Sequence, residues 1–219
     1  STLITVAAAA ADATPPTITL DQPVNNTNTS LRNITFRFTA TDGSGLKNAT
    51  LYANFSGLFI ANQSNQTGLT SGTQATIFVN ETISEGFFIW NIFACDNAGT
   101  PNCGFANANF TLRVDRTPPA FSNIVKNISD YQFYPIQFNT TWTDNNSLFG
   151  YIFSFNRSGA WINTTLIRFD DVSSAVSTNI TVINDTPGTV LGWQFYANDS
   201  AGNLNYTPVQ TFVVGGIVW

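Results

Sequence analysis

Five aspartates stand at predicted turns or at a linker, where oxygen atoms of different loops can converge. They are Asp42, Asp96, Asp115, Asp144 and Asp199. Converging carboxylate and carbonyl oxygens are the ligands that Ca²⁺ takes in proteins. No loop has the dense Asp-x-Asp spacing of a dedicated calcium site, and Asp also stabilises turns by bonding to its own backbone. We therefore expect no cofactor and favour the turn role, with calcium as the alternative.

Catalytic chemistry is scarce in this sequence. It contains no His, which is the usual base for Ser and Cys nucleophiles and the commonest metal ligand. Neither of the glycine-rich phosphate-binding motifs, Gly-x-Gly-x-x-Gly and the Walker pattern, occurs. The adjacent Asp170 and Asp171 read as a solvated loop edge, since neighbours on a strand point to opposite faces, and Glu81 and Glu85 bracket a turn in the same way. We predict no catalytic residues and no enzyme.

The two cysteines, Cys95 and Cys103, flank a predicted turn. Across the mouth of a hairpin this spacing suits a disulfide, which indicates an oxidising compartment. Two buried free thiols are the alternative. Two Cys without His cannot supply the four ligands of a structural zinc site, so no metal site is predicted from them.

Asn-x-Ser/Thr sequons are spread over the whole chain and predict an exported glycoprotein. A chain this rich in Asn, Ser and Thr makes some of them by chance, so no single sequon is proof. The first residues of the sequons are Asn25, Asn28, Asn33, Asn48, Asn54, Asn62, Asn65, Asn80, Asn109, Asn127, Asn139, Asn145, Asn156, Asn163, Asn179, Asn184, Asn198 and Asn205.

The composition is that of a folded domain with an unusually uncharged surface. Aromatic residues make up 14% of the chain, whereas charged residues make up only 10%. The net charge of −5 and the scattered Lys and Arg argue against nucleic acid or an anionic membrane as a partner. A surface low in charge suits an acidic environment, and a coat of sugars explains it equally well.

A tandem repeat of about a hundred residues organises the chain. Residues 90–99 and 193–202 share the pattern Trp, aromatic, Ala, then Asp-x-Ala-Gly, and Thr-Pro-Pro occurs at 14–16 and again at 117–119. Both pairs are 103 positions apart. The repeat predicts two domains, and the prolines between them predict a stiff linker.

Short apolar–polar alternations separated by turns predict six or seven strands per repeat and no helix. Gln63 to Thr73 is interpreted as a polar loop. Trp90 and Trp193 are predicted core residues, whereas Trp142, Trp161 and Trp219 are candidates for stacking on a sugar. The predicted strands are 17–21, 31–41, 46–55, 74–80, 86–95, 105–114, 120–126, 132–143, 148–156, 161–169, 176–184, 190–198 and 207–214.

The segment before the first repeat is apolar and β-prone, with Leu3, Ile4, Thr5 and Val6 followed by a run of Ala. It is too short to cross a bilayer. We expect it to pack on a neighbouring copy. The predicted organisation is an extended arm at 1–13, β-sandwiches at 14–115 and 116–214, and a hydrophobic tail at 215–219.

The Thr-Pro-Pro openings, the stretch Asp-Gly-Ser-Gly-Leu at 42–46 and the Asp-x-Ala-Gly closings resemble the tandem immunoglobulin-like domains of bacterial and archaeal surface proteins. The resemblance covers roughly residues 14–214. The second copy continues to Asn203, where the first copy has Thr100 instead. Such modules serve as spacers, adhesins and filament subunits, so their motifs specify the fold better than the function.

The apolar arm and the dense sequons together resemble the glycosylated extracellular filaments of archaea. That resemblance implies that residues 3–6 of one subunit complete an open sandwich of the next, which propagates head to tail. The predicted function is therefore a non-enzymatic filament subunit on the cell surface, with identical subunits as partners. The alternative is an adhesin or surface-layer spacer that binds a carbohydrate or a cell-surface partner.

Overall fold

The computed structural model describes residues 11–79, 83–127, 130–157 and 159–216. The regular structure of these residues consists entirely of β-strands, and no helix among them could span a membrane. The chain divides into two compact units, Ser1–Val114 and Asp115–Trp219. Each unit is an immunoglobulin-like β-sandwich in which a three-stranded sheet faces a larger sheet. The predicted donor strand at 3–6, Glu81 and Trp219 lie outside the described residues.

Unit 1 pairs the sheet β1-β3-β6 with the sheet β2-β9-β7-β4-β5, and β8 also pairs with β7. Its strands are β1 Thr17–Gln22, β2 Thr27–Thr29, β3 Ile34–Thr41, β4 Leu46–Ala53, β5 Ile60–Asn65, β6 Gln74–Val79, β7 Gly86–Asp96, β8 Cys103–Phe105 and β9 Phe110–Val114. The alternation in β3 places Phe36 and Phe38 in the core, both fully buried. Phe36 meets Trp90 of β7 edge-on, with ring centroids 4.9 Å apart. Burial of such aromatic side chains holds the two sheets together.

Unit 2 repeats this plan with the sheet β10-β11-β15 and a larger sheet centred on β12 and β16. Its strands are β10 Ala120–Lys126, β11 Pro135–Thr143, β12 Leu148–Arg157, β13 Ala160–Asn163, β14 Ile167–Arg168, β15 Ser174–Val182, β16 Val190–Asp199, β17 Leu204–Tyr206 and β18 Gln210–Val213. Phe138 lies at the centre of the core, 4.9 Å from the Trp193 ring and 5.0 Å from the Phe153 ring. Trp142 is also fully buried, and its Nε1 donates to Ser177 Oγ at 3.2 Å.

Several sequence predictions about the strands are wrong. In the described residues each unit has nine strands rather than six or seven, and the predicted strand 161–169 is two strands, β13 and β14. Gln63–Asn65 belong to β5 rather than to a polar loop. This edge strand is exposed along most of its length and therefore lacks alternation, and its pairing with β4 makes it a strand. The predicted strand 105–114 is two strands, because the chain leaves β8 after Phe105 and returns as β9. The buried Asn91 side chain holds this break by donating to the Ala106 carbonyl at 3.1 Å.

Cys95 and Cys103 form a disulfide in the structure. They lie opposite each other in the register of β7 and β8. The bridge therefore links two neighbouring strands of the larger sheet of unit 1.

Replacing Phe36 by Ala should destabilise unit 1 by about 3–5 kcal/mol, because a fully buried ring leaves a cavity between the sheets. Urea unfolding followed by Trp fluorescence measures the loss. Phe87→Ala is the matched control, since Phe87 is 60% exposed and its truncation should change stability by no more than about 0.5 kcal/mol. Equal losses for the two variants would contradict the assigned core.

Candidate functional site

Three aspartates meet at the end of unit 1 where the chain enters the sandwich. Asp12 precedes the first Thr-Pro-Pro, Asp42 follows β3, and Asp96 is the last residue of β7. One carboxylate oxygen from each lies within 4.8 Å of the others. Asp96 is fully buried and the other two are half-buried. We call this group the unit 1 aspartate cluster.

Unit 2 builds the same group from Asp115, Asp144 and Asp199, here called the unit 2 aspartate cluster. Asp199 is fully buried and Asp115 is 2% exposed. The three positions are those of Asp12, Asp42 and Asp96 shifted by one repeat. Five of these aspartates are predicted from the sequence as a single set, which does not include Asp12. The repeat contained the signal, because Asp12 stands 103 positions before Asp115.

All six carboxylates stabilise a turn, in agreement with the role that the sequence analysis favoured. In each case Oδ1 accepts a hydrogen bond from the backbone N–H two residues further along the chain. The donors are Thr14, Ser44, Ala98, Thr117, Asn146 and Ala201. Each aspartate thereby fixes the direction in which the chain leaves its strand or linker.

An asparagine ties the carboxylate at the end of the central strand to the segment where the chain enters. Asn102 Nδ2 donates to Asp96 Oδ2 at 2.7 Å and to the Asp12 carbonyl at 3.1 Å. In unit 2, Asn203 Nδ2 makes the equivalent bonds to Asp199 Oδ2 and to the Asp115 carbonyl. Although Thr100 occupies the position in the first copy that Asn203 has in the second, unit 1 keeps this contact. The loop after Asp96 is two residues longer, and Asn102 reaches the same position.

Hydrogen bonds lower the pKa of two carboxyl groups in the unit 1 cluster. The pKa of Asp12 lies below its ordinary 3.8, chiefly because the Ser44 hydroxyl and the Thr14 N–H donate to it. Burial raises the pKa of Asp96, but the donors from Asn102 and Ala98 outweigh burial, and the net pKa is lowered. Both groups therefore carry negative charge at neutral pH, close to each other.

The donor set of each cluster is chemically suited to a hard divalent cation. It offers carboxylate oxygens from three separate segments, and Ca²⁺ takes about six to eight oxygen ligands in flexible geometry. Each turn bond is made to Oδ1 of its carboxylate. Oδ2 of Asp12, Asp96 and Asp199 also accepts a hydrogen bond, from Ser44 Oγ, Asn102 Nδ2 and Asn203 Nδ2 respectively, so an ion would share these oxygens with their donors. Asp12, Asp42 and Asp96 in unit 1, and their counterparts in unit 2, are the residues that could hold such an ion.

The other carboxylates considered from sequence lie apart from these clusters. Asp170 and Asp171 are exposed in a turn with φ of 54° and 55°, rather than on a strand. Arg168 Nη2 lies 3.3 Å from Asp171 Oδ1. Glu85 is exposed. Of the tryptophans considered for sugar stacking, Trp142 belongs to the core and Trp161 is 44% exposed.

None of the sequon asparagines in the described part of the chain is buried, so each presents surface to solvent; Asn80 lies outside that part. Nine are exposed, namely Asn25, Asn28, Asn33, Asn62, Asn109, Asn127, Asn145, Asn163 and Asn184. The half-buried ones are Asn48, Asn54, Asn65, Asn139, Asn156, Asn179, Asn198 and Asn205.

Aromatic side chains cluster on the outer face of the larger sheet of unit 1. Phe105 lies 4.8 Å from Phe93 and 5.0 Å from Tyr52, measured between ring centroids. Phe59 completes the group at 5.9 Å from Tyr52. We call these four residues the unit 1 aromatic patch. Phe105 is 44% exposed, so part of the ring surface of the patch faces solvent.

Comparison with known proteins assigns no family to this chain. No family model matches the sequence, and no curated protein matches it. Among solved structures, the crystal structure of the chicken CNTN1 FN1-FN3 domains aligns with a TM-score of 0.46 and 11% identity. The alignment covers 92% of this chain and 68% of that chain. At this level of similarity we draw no functional argument from it.

Replacing Asp96 by Asn should destabilise unit 1 by about 1–3 kcal/mol. The new Oδ1 still accepts the two backbone N–H groups, but the new Nδ2 faces the Asn102 amide donor at the site of a 2.7 Å bond. Urea unfolding measures the effect. Asp170→Asn is the control, because this exposed turn residue has a left-handed φ that Asn tolerates.

Unchanged stability in Asp96→Asn would contradict the assigned bonding. Repeating the urea unfolding with added Ca²⁺ and with a chelator distinguishes turn stabilisation by the cluster from cation binding. Only a cation site makes the stability of the parent protein depend on Ca²⁺ and makes the variant insensitive to it.

Acid should weaken unit 1 through the same carboxylates. Asp12 and Asp96 have folded-state pKa values below the unfolded value of 3.8, so the unfolded chain binds protons first as the pH falls. Their contribution to stability is complete above pH 3.8 and is lost as the pH falls through the folded pKa. Urea midpoints measured across this range should fall less steeply for Asp96→Asn than for the parent protein. Equal slopes would show that Asp96 is not responsible.

Proposed function

We propose that this chain is a non-enzymatic structural subunit of an extracellular, glycosylated filament. In this proposal the N-terminal arm of one copy pairs with a strand edge of the next copy. The Cys95–Cys103 disulfide and the exposed sequons support an oxidising, extracellular location. The observation that carries the assembly step is an unpaired, apolar strand edge beside an open slot in unit 2.

Strand β15 provides this edge. It lies at the end of the sheet β10-β11-β15 and pairs with β11 along nine positions, whereas no strand in the described part of the chain pairs with its other side. Val176 and Ile180 are 57% and 63% exposed. The Tyr151 hydroxyl contacts both backbone polar groups of Thr178, so it covers this single position of the free edge. Long apolar edges of this kind accept a further strand.

A slot of mixed polar and apolar lining runs between β15 and the opposite sheet. Its volume is about 220 Å³. Phe153, Phe155 and Ile162 supply its apolar lining, and Arg157, Thr164 and Thr181 contribute to the polar part. Side chains of a strand added to β15 would enter this slot. Adjacent residues of a strand point to opposite faces, so the arm offers this slot either Ile4 and Val6 or Leu3. Each side chain buried there contributes about 1.5–3 kcal/mol. Each sandwich has strands of its own in both sheets, so the arm adds to an edge rather than replacing a missing strand.

Electron microscopy of the purified protein tests the proposal. The intact chain should form filaments, and the chain without residues 1–11 should give dispersed particles. Val176→Lys combined with Ile180→Lys should also disperse the filaments, because charges on an edge block strand addition. Val190→Lys is the control, since Val190 is 64% exposed and lies on β16 instead. Filaments from the truncated chain, or dispersed particles from every sample, would overturn the proposal.

Dispersed particles in every sample would leave the second candidate, an adhesin or spacer module that binds a carbohydrate. The unit 1 aromatic patch favours it, because exposed rings stack on the apolar faces of sugars. Saccharide binding that Phe105→Ala weakens, with the fold intact, would support this candidate.

A further inference from the structure

We infer that Asn198 carries an N-linked saccharide whose first sugar ring covers an apolar groove on the outer face of unit 2. The inference rests on the export and glycosylation in the proposed function, and it does not depend on filament assembly. It selects one sequon and assigns its sugar a structural role.

The groove is formed by two neighbouring rows of residues on one face of the larger sheet. In the first row Asn198 of β16 lies between Gly150 of β12 and Leu204 of β17. In the second row Tyr196 lies between Ile152 and Tyr206. Because alternate residues of a strand share a face, the side chains of both rows lie on the same side of the sheet.

Leu166 closes the groove above Gly150. A Cβ at Gly150 would lie 2.8 Å from the Ile167 carbonyl oxygen and 3.0 Å from Leu166 Cδ1. Only Gly at position 150 therefore lets the segment of Leu166 and Ile167 pack this closely against β12. The groove that results has a volume of about 140 Å³, and its lining is largely apolar. This is well below the roughly 300–1,000 Å³ of ordinary small-molecule pockets. Its size suits a single sugar ring.

Exposed apolar and aromatic surface surrounds this space. Leu204 is 60% exposed, Tyr206 58% and Leu166 46%. The Tyr196 and Tyr206 rings lie 5.8 Å apart, and Gln194 Nε2 donates to the Tyr196 hydroxyl. A pyranose has an apolar C–H face and a polar rim, so it covers the rings while its hydroxyls remain in water.

Asn198 stands on the rim of the groove as the first residue of the sequon at 198–200. It is half-buried, and its side chain makes no hydrogen bond to any described residue. Asn205, the sequon residue on the neighbouring strand β17, differs because its Nδ2 donates to the Pro119 carbonyl at 2.7 Å. The Asn198 amide nitrogen is therefore available for attachment beside the apolar surface.

Unit 1 covers the equivalent rows with its own side chains. Cys95 and Cys103 occupy the positions of Asn198 and Leu204, and their disulfide spans the first row. Phe93 and Phe105 occupy the positions of Tyr196 and Tyr206, and Tyr52 packs over them. In unit 2 the cysteines are absent and an acceptor asparagine stands in the same row. We expect the saccharide on Asn198 to cover these rows in unit 2, as the disulfide and the aromatic side chains cover them in unit 1.

Glycopeptide mass spectrometry of the native protein tests the attachment. Asn198 should carry a saccharide. If other sequons are modified and Asn198 is not, the inference fails while the proposed glycosylation stands; if no sequon is modified, both fail. The solvent exposure of the Tyr206 ring should be compared at low and high protein concentration in chains unmodified at Asn198. If Tyr206 becomes shielded from solvent as the concentration rises, a second copy covers the groove and the inference is overturned.

Thermal unfolding tests the structural role. In glycosylated protein, Asn198→Gln should lower the Tm of unit 2 by about 4–8 °C. Asn184→Gln is the matched control, because Asn184 is exposed and its sequon also has Asp in the middle position. In protein made without glycosylation both variants should match the parent. In a Leu166→Ser background the loss caused by Asn198→Gln should shrink. A loss equal to that of Asn184→Gln would overturn the inference.

Discussion

A buried carboxylate at the end of the central strand sets the geometry of each unit. Asp96 and Asp199 are fully buried, and each is satisfied by an asparagine amide that also holds the carbonyl of the segment where the chain enters. A buried charge without donors would be costly. These hydrogen bonds therefore fix the first segment, the central strand and the loop between them relative to one another. The sandwich core supplies most of the stability, and this contact determines where the chain begins to pack.

The sequence predicted the parts of the fold in which local pattern and burial coincide. The alternation in β3 identified a strand and its core face, and the repeat identified two units. The edge strand β5 escaped because it is exposed along most of its length, so hydrophobic alternation could not mark it. The equivalence of Asn102 and Asn203 was not predicted for another reason. A loop of different length reaches the same donor geometry, and a fixed offset between repeats cannot show that.

The candidate sites were partly predictable. The sequence placed five of the aspartates at turns or at a linker, and the structure shows their turn hydrogen bonds. The sequence could not show that two sets of three converge, because that depends on the three-dimensional approach of separate loops. The slot beside β15 and the groove beside Asn198 had no signal at all in the sequence. Each arises from residues that are distant in the chain and become neighbours only through the register of the sheets.

The central claim is that the arm of one copy pairs with β15 of the next, and amide hydrogen exchange tests it most directly. In assembled protein the N–H groups of Val176 and Ile180 should exchange much more slowly than in the chain without residues 1–11. The N–H groups of β11, which lie inside the sheet, should change little. Equal exchange at Val176 and Ile180 in the two samples would contradict strand addition at this edge.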